Sequence, residues 1–333
     1  MQILHIVPWA NYGGTERMVL NLCRATRSCN HFVWFGQRGP MIWEFRRQGI
    51  PAYAPGDLTG LAQEQNFLSI ADSIDIIHIH CLYYMPQIHQ IASRLGVPSI
   101  VTLHGRSSFP PLACPVVCVS EAVAKLQPIG SNVSVIHNGV DTDEFRYREP
   151  QDREGIVIIR VCRPNRCAGY FTDSLASVLS KHPNAELWIV GEEGISTDQV
   201  KYWGRRIDVP ALLCQADIFA YAAFPDRGSH DLCVLEAMAV GVPPVVTNVA
   251  SVRESVSNMY DGIVVPFGDV GAFANAVDRL VADKRLRTAL GRNARETVLR
   301  QFDMKRVAQS YLNLYRKTLT AVHPLGAHGP CTT

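Results

Sequence analysis

Long hydrophobic runs are missing from this 333-residue chain. No apolar stretch reaches the roughly 18 residues that a membrane-spanning helix needs. An excess of one charge is missing too: the net charge is +2, too small to argue for a nucleic-acid partner. The dinucleotide fingerprint GxGxxG is absent, and no acidic residue ends the second strand as a ribose ligand would, which argues against a nicotinamide dehydrogenase. The opening MQILHIVPWANYGG lacks the basic n-region of a signal peptide and runs straight into a glycine-rich turn, so it reads as a first buried strand. Ten cysteines are present, but CxxC pairs are not. Cys114 and Cys118, and Cys162 and Cys167, have the wrong spacing for a zinc finger. Cys118 and Cys214 stand in apolar stretches, as reduced, buried thiols of a cytoplasmic protein do.

Hydrophobic residues make up 47% of the chain and charged residues 19%, enough to bury a sizeable core and too apolar for disorder. The length predicts two domains of about 150 residues. Short apolar runs alternate with helical patterns throughout, which predicts α/β architecture with parallel sheets covered on both faces. Strands are expected at Ile3–Val7, His31–Phe35, Ile74–His80, Ser99–Leu103 and Val116–Val119. The pattern restarts after a hinge near residue 140, with strands at Ile156–Arg160, Glu186–Val190, Ile218–Ala222, Pro244–Val246 and Gly262–Val265. Helices are expected at Thr15–Ala25, Met85–Leu95, Asp173–Ser180, Leu232–Val240, Val270–Ala282 and Lys305–Leu319, the last amphipathic. These boundaries predict domains over 1–140 and 141–304, and a disordered tail over 320–333.

Four places could carry chemistry. Gly13 and Gly14 sit between the first strand and first helix, where small residues let an anion approach the free N–H groups of a helix start. In DIIHIHC, His78 and His80 alternate along a strand and share a face. His80 lies at the carboxyl end of its strand and His104 at the end of another, the side on which open α/β sheets bind ligands. Arg160, Arg163 and Arg166 cluster after the second domain's first strand with no acid in the run, and guanidinium groups suit a diphosphate. Finally, the loop before Leu232 leads into a helix carrying Glu236 among apolar residues, where a carboxylate needs a partner such as a ligand hydroxyl or a buried Arg. Asp141-Thr142-Asp143 has the form of a metal-binding DxD, but its place in the linker turn makes a turn role the better reading. A basic patch of Arg24, Arg27, Arg46 and Arg47 leaves peripheral membrane contact open, with a solvated face as the plainer reading.

Together these pieces resemble the family-4 retaining glycosyltransferases. The resemblance runs from Gly13 to about Leu319 through GGTER, HIH, TLHG, VSEAVA, HNGVDTDEF, LEAMAVGVPPVV and VPFGD, in the family's order. It implies a GT-B fold, two facing Rossmann-like domains with an interdomain cleft, the helix 305–319 returning to the first. The implied activity is retaining transfer of a hexose-type or N-acetylhexosamine-type sugar from a nucleotide diphosphate, with no metal or cofactor. The acceptor would be a small molecule, a glycan or a lipid-linked sugar, and the location cytoplasmic, at most peripheral at the membrane's inner face. Position by position, the resemblance implies that Arg160 and Arg166 hold the donor diphosphate and that Glu236 binds the ribose. It places Gly204 and Arg205 beside the base, and Gly14 near the donor phosphates. His80 would stand beside the reacting sugar, Gly13 and His104 on the acceptor side, and Asp231 and Leu232 at the donor. The first Glu of the family's E-x7-E motif is Gly228 here, so Asp226 or Asp231 would have to replace it. An alternative is a catalytically impaired nucleotide-sugar-binding protein or partner subunit.

Overall fold

The computed structural model describes residues 1–54, 73–80, 92, 96–105, 112–129, 132–150, 153–163, 167, 171–225 and 230–322. The chain forms two compact units, Met1–His137 with the chain from Lys305 onward, and Asn138–Met304.

In the first unit the strands are β1 (Gln2–Val7), β2 (Asn30–Phe35), β3 (Ala52–Tyr53), β4 (Ile76–Ile79), β5 (Ser99–Leu103), β6 (Val116–Cys118) and β7 (Val133–Val135). They form one parallel sheet in the order β3-β2-β1-β4-β5-β6-β7. The order reverses between β1 and β4, and at such a switch point the loops beyond the strand ends part to leave a crevice. Helix α1 (Gly14–Ala25) follows β1 and buries Met18, Val19, Leu22 and Cys23. Helix α2 (Met41–Arg47) buries Met41, Ile42 and Phe45.

The second unit repeats the plan. Strands β8 (Ile156–Val161), β9 (Ala185–Val190), β10 (Val200–Gly204), β11 (Ile218–Tyr221), β12 (Pro244–Thr247) and β13 (Ile263–Val265) pair in parallel in the order β10-β9-β8-β11-β12-β13. Its helices include α3 (Phe171–Lys181), α4 (Leu232–Val240), α5 (Val270–Ala282) and α6 (Lys284–Thr297). Helix α4 is apolar almost all round and therefore buried, and it stops at Gly241, whose φ of 87° suits a residue without a Cβ. Asp269 and Asp283 cap α5 and α6 through Ala272 N and Leu286 N, at 2.8 and 2.9 Å. The last helix, α7 (Met304–Val322), returns the chain to the first unit, where Tyr311 and Tyr315 are buried.

Two boundaries differ from those read in the sequence. The first unit ends at His137 and not at residue 140, because Asn138 Nδ2 donates to His230 O at 2.7 Å and Val140 pairs with Phe302 and Met304 through backbone hydrogen bonds. Residues 320–322, expected in the tail, continue α7, and the rest of that tail lies outside the described residues. The expected helix Met85–Leu95 also lies outside them, apart from Ala92.

One buried ionic cluster holds the start of β8. Asp217, 7% exposed, accepts from Val157 N at 2.9 Å, from Arg153 Nη2 at 2.6 Å and from Arg148 Nη2 at 3.3 Å. Removing one member of such a set strands the others. Asp217→Ala is therefore expected to cost about 3–5 kcal/mol, measured as a lowered urea midpoint with an unchanged slope.

Candidate functional site

In the first unit, register decides which side chains meet. His5 stands opposite His78 across β1 and β4, and His31 opens β2 beside Ile3. Because side chains alternate along a strand, His31, His5, His78, His80 and His104 collect on one face. His5 Nδ1 lies 3.1 Å from His80 Nε2, and His5 Nε2 lies 3.0 Å from His31 Nδ1. His80 Nδ1 lies 3.0 Å from His104 Nε2. His78 is hydrogen-bonded separately, to Tyr315 Oη and Thr102 Oγ1, both at 2.7 Å, and its ring lies 4.0 Å from that of His80. Burial holds His5, His78 and His80 well below the usual imidazole range, helped by repulsion from neighbouring rings, His31 and His104 included. It lowers His31 as well, and takes His104 down to about 4.

The sequence reading singled out His78, His80 and His104, and the structure brings His80 and His104 into contact. It missed His5 and His31, whose only signal is a histidine in an apolar strand at the position that shares a face with Ile3 and Val7 or with Val33 and Phe35. Two sets, His5–His78–His80 and His5–Cys23–His31, have donor atoms within 4.8 Å of one another, and their ring nitrogens are engaged by protein groups as described. Gly13 is the N-cap of α1, and an added Cβ there would meet Glu16 Oε2 at 2.4 Å. The Glu16 carboxylate thus folds back over this helix start, the place where Gly13 and Gly14 were expected to admit an anion. Arg24 and Arg27 line a shallow depression of about 460 Å³ with His31, while Arg47 pairs with Glu44 at 2.8 Å.

The second unit gathers a different set at the carboxyl ends of β8 and β11 and the start of α4. Arg160, 5% exposed, pairs with Glu192 and lies over the Phe171 ring at 5.1 Å. Its Nε has no hydrogen-bond partner among the described residues. Burial works against its charge, but Cys162, Cys167 and Glu192 outweigh it and hold the guanidinium charged. Burial, then the carboxylates of Asp231 and Glu236, pushes the Cys233 thiol up; burial, Cys233 and Asp231 do the same for Tyr221. Arg160, Cys162, Cys167, Tyr221, Asp231, Cys233 and Glu236 are therefore one electrostatic neighbourhood. Asp231 is the N-cap of α4 and Leu232 its first residue.

Gly204 ends β10 at φ 58° and accepts a hydrogen bond from Gly191 N at 2.7 Å. A Cβ on Gly191 would stand 2.2 Å from Cys162 O, so the backbones approach closely there. Arg205 follows and is exposed. Arg166, Asp226 and Gly228 lie outside the described residues. In the DxD triplet, Asp141 Oδ1 accepts from Asp143 N at 3.1 Å and Glu144 N at 3.3 Å, and Thr142 Oγ1 donates to Asp303 at 2.6 Å. The two Asp141 bonds are those of a turn, and the Thr142 bond ties that turn to Asp303.

Two parallel-sheet α/β units of this order define the GT-B class. A crystal structure of Anabaena Alr3699/HepE in complex with UDP shares the fold with a TM-score of 0.81 at 18% identity, over 95% of this chain and 100% of that one. The family model Glycosyltransferase Family 4 matches residues 12–144, and the model Glycosyl transferases group 1 matches residues 155–283. The chain belongs to the family-4-like glycosyltransferases.

Among curated relatives, the lipopolysaccharide core biosynthesis glycosyltransferase LpsE of Rhizobium meliloti is 27% identical over 55% of this chain and 56% of its own length. The N,N'-diacetylbacillosaminyl-diphospho-undecaprenol alpha-1,3-N-acetylgalactosaminyltransferase of Campylobacter jejuni is 32% identical over 39% of this chain and 34% of its own. These two matches thus span about half and a third of the relatives concerned. The N-acetyl-alpha-D-glucosaminyl L-malate synthase of Bacillus anthracis is 24% identical over 80% of this chain and 81% of that enzyme.

Proposed function

We propose that the protein transfers a hexose-type or N-acetylhexosamine-type sugar from a nucleotide diphosphate to an acceptor hydroxyl, with retention and without a metal ion. The observation that carries this is Arg160, a charged, nearly buried guanidinium at a strand's carboxyl end beside the start of α4. A buried cation whose Nε–H no described residue accepts is suited to neutralise charge that grows on a departing diphosphate, the work a metal does elsewhere. Family membership, the UDP bound by the HepE structure and the transferase names of the relatives support the same reading.

In this reading the second unit binds the donor. Glu236 accepts from the ribose hydroxyls, Gly204 and Arg205 flank the base, and Arg166 joins Arg160 at the diphosphate. Asp231 and Leu232 stand at the donor sugar. The first unit binds the acceptor near Gly13 and His104, with Gly14 near the donor phosphates and His80 beside the reacting sugar. The Campylobacter relative's name specifies an undecaprenol-linked acceptor, and a lipid-linked sugar is accordingly one acceptor class for this chain. In this reading contact with such an acceptor is peripheral, at the inner face; among the described residues no helix is long and apolar enough to cross a membrane.

The test is release of free nucleoside diphosphate from a panel of UDP-, GDP-, TDP- and ADP-sugars, with and without an acceptor mixture. Release from one donor establishes transfer and identifies base and sugar. A second reading, a nucleotide-sugar-binding protein without turnover, is favoured by Gly228 at the position of the family's Glu. Its signature is a nucleotide-induced rise in melting temperature with no release. Glu236→Ala is expected to weaken nucleotide binding by about 10- to 100-fold, the worth of a charged hydrogen bond. An unchanged Kd in the folded variant removes Glu236 from the ribose site.

A further inference from the structure

Four imidazoles in the first unit form one unbroken hydrogen-bonded row, from His104 through His80 and His5 to His31. A protein group determines its polarity. Thr26 Oγ1 donates its only proton to Leu22 O at 2.6 Å. Toward His31 it can therefore only accept, and the Thr26 carbonyl can do nothing else. His31 Nε2 lies 2.9 Å from that hydroxyl and 3.1 Å from that carbonyl. His31 must carry its proton on Nε2, which leaves Nδ1 bare in the neutral ring. The contact at 3.0 Å then requires His5 to be the donor through Nε2. His5 Nδ1 is bare in turn, so His80 donates through Nε2, and the same step passes to His104. One backbone carbonyl thereby orders all four rings, and the row ends on a lone pair at His104 Nδ1. Among the described residues no hydrogen bond is made to that atom.

We infer that His31, His5 and His80 form a tautomer-ordered proton relay that makes His104 Nδ1 the acceptor for a substrate hydroxyl proton. That the hydroxyl belongs to a sugar acceptor rests on the transferase reading; the order of the row does not. The proton count closes. The hydroxyl O–H breaks as Nδ1–H forms on His104. The Nε2 proton of His104 moves to His80 Nδ1, that of His80 to His5 Nδ1, and that of His5 to His31 Nδ1. His31 becomes an imidazolium that still donates to Thr26 through Nε2 and now donates to His5 through Nδ1.

The positive charge comes to rest beside the depression that His31 lines with Arg24, Arg27 and Gln48, at the opposite end of the strands from His104. Loss of the Nε2 proton there would strand the Thr26 carbonyl. The row therefore resets by the reverse path, returning the proton through His104 to the departing phosphate or to water. His104 is the catalytic residue of this scheme; His80, His5 and His31 are positioning residues. The groups facing the row are His78, whose ring lies 4.0 Å from that of His80, and Cys23 on α1. Tyr311 and Tyr315 of α7 pack on His78, and the Met1 amino group bears on His31. Among the described residues no carboxylate hydrogen-bonds to the four rings.

The experiment is 15N–1H correlation of histidine-labelled full-length protein, which reads the tautomer of each ring, followed through a pH titration. All four rings are expected with Nε2 protonated, and on acidification His31 is the first to show both nitrogens protonated. In His5→Phe, His31 keeps its tautomer while His80 and His104 become mixtures. A dominant Nδ1–H form at His5 or His80 in the wild type overturns the inference. So does an unchanged tautomer at His80 and His104 in His5→Phe.

Should His5→Phe fail to fold, His31→Gln serves. Its amide can donate to Thr26 and accept from His5, keeping the order while removing the ring that holds the charge. The row should then stay neutral to lower pH, and kcat should fall about 100-fold with KM unchanged, the lower end for a positioned acid–base group. Wild-type titration and kcat in that variant overturn the relay. Ordered tautomers with no turnover on any donor would count against the transferase reading alone, and turnover with disordered tautomers against the relay alone.

Discussion

Arg160→Ala is expected to lower kcat by about 100- to 1,000-fold, as loss of a preorganised donor to a developing oxyanion does. The donor KM should change less, because in the proposed transfer the interaction strengthens as charge moves onto the leaving diphosphate. The position of the side chain is the reason. It leaves β8 at its carboxyl end, is 5% exposed, and is steadied by Phe171 on one side and Glu192 on another. Little solvent is available to screen it. Arg160→Lys keeps the charge but loses the planar fork, so an intermediate rate is expected. Glu192 is 39% exposed and water can take over the partner it loses, so the variant should remain folded. Circular dichroism and single-turnover kinetics check this together, and a near-normal rate in the folded Ala variant would remove Arg160 from the leaving-group site.

The second large effect is on stability. Burial holds five histidines of the first unit, His5, His31, His78, His80 and His104, neutral by lowering each below the ordinary imidazole value of about 6.5. In the unfolded chain each takes a proton as pH falls through that value. The unfolded state then binds more protons than the folded one, so stability rises with pH. It is fully present above about pH 6.5–7 and lost progressively on acidification toward the lowered native values. Five such groups give a limiting slope of about 7 kcal/mol per pH unit, or about 5.5 once His31 has taken a proton. That is comparable to the whole stability of a typical domain. The melting temperature of the first unit is expected to fall steeply between about pH 6.5 and 5. Thermal unfolding followed through Trp34 and Trp43 across that range is the check, and a flat Tm from pH 7 to 5 is incompatible with five neutral buried rings.

Much of the architecture was legible in the chain. The ten expected strands were short apolar runs, and all ten appear within a residue or two of their expected ends. Helices Leu232–Val240 and Val270–Ala282 have the ends that were expected. Three strands were not legible for separate reasons. β3 has two residues, β7 is VSV, and β10 is the partly exposed edge strand VKYWG, none of them an apolar run. Helix α6 was missed because KRLRTALGRNARET buries only Leu290, Gly291, Ala294 and Thr297 beneath a charged surface.

The candidate sites divide in the same way. Arg160 before a loop, Glu236 in an apolar helix and His80 at a strand end are local patterns, and composition and periodicity were enough to single them out. What the sequence by itself determined is therefore the alternation of strand and helix, the two sheets and the residues standing at their carboxyl ends. These follow from side-chain period and hydrophobicity, which act over a few neighbours. Only the tertiary structure decided that His31, His5, His80 and His104 touch, and that Thr26 orders them. Those contacts depend on the register of β1 against β2 and β4 and of β4 against β5, and a shift of one residue would turn a ring to the other face.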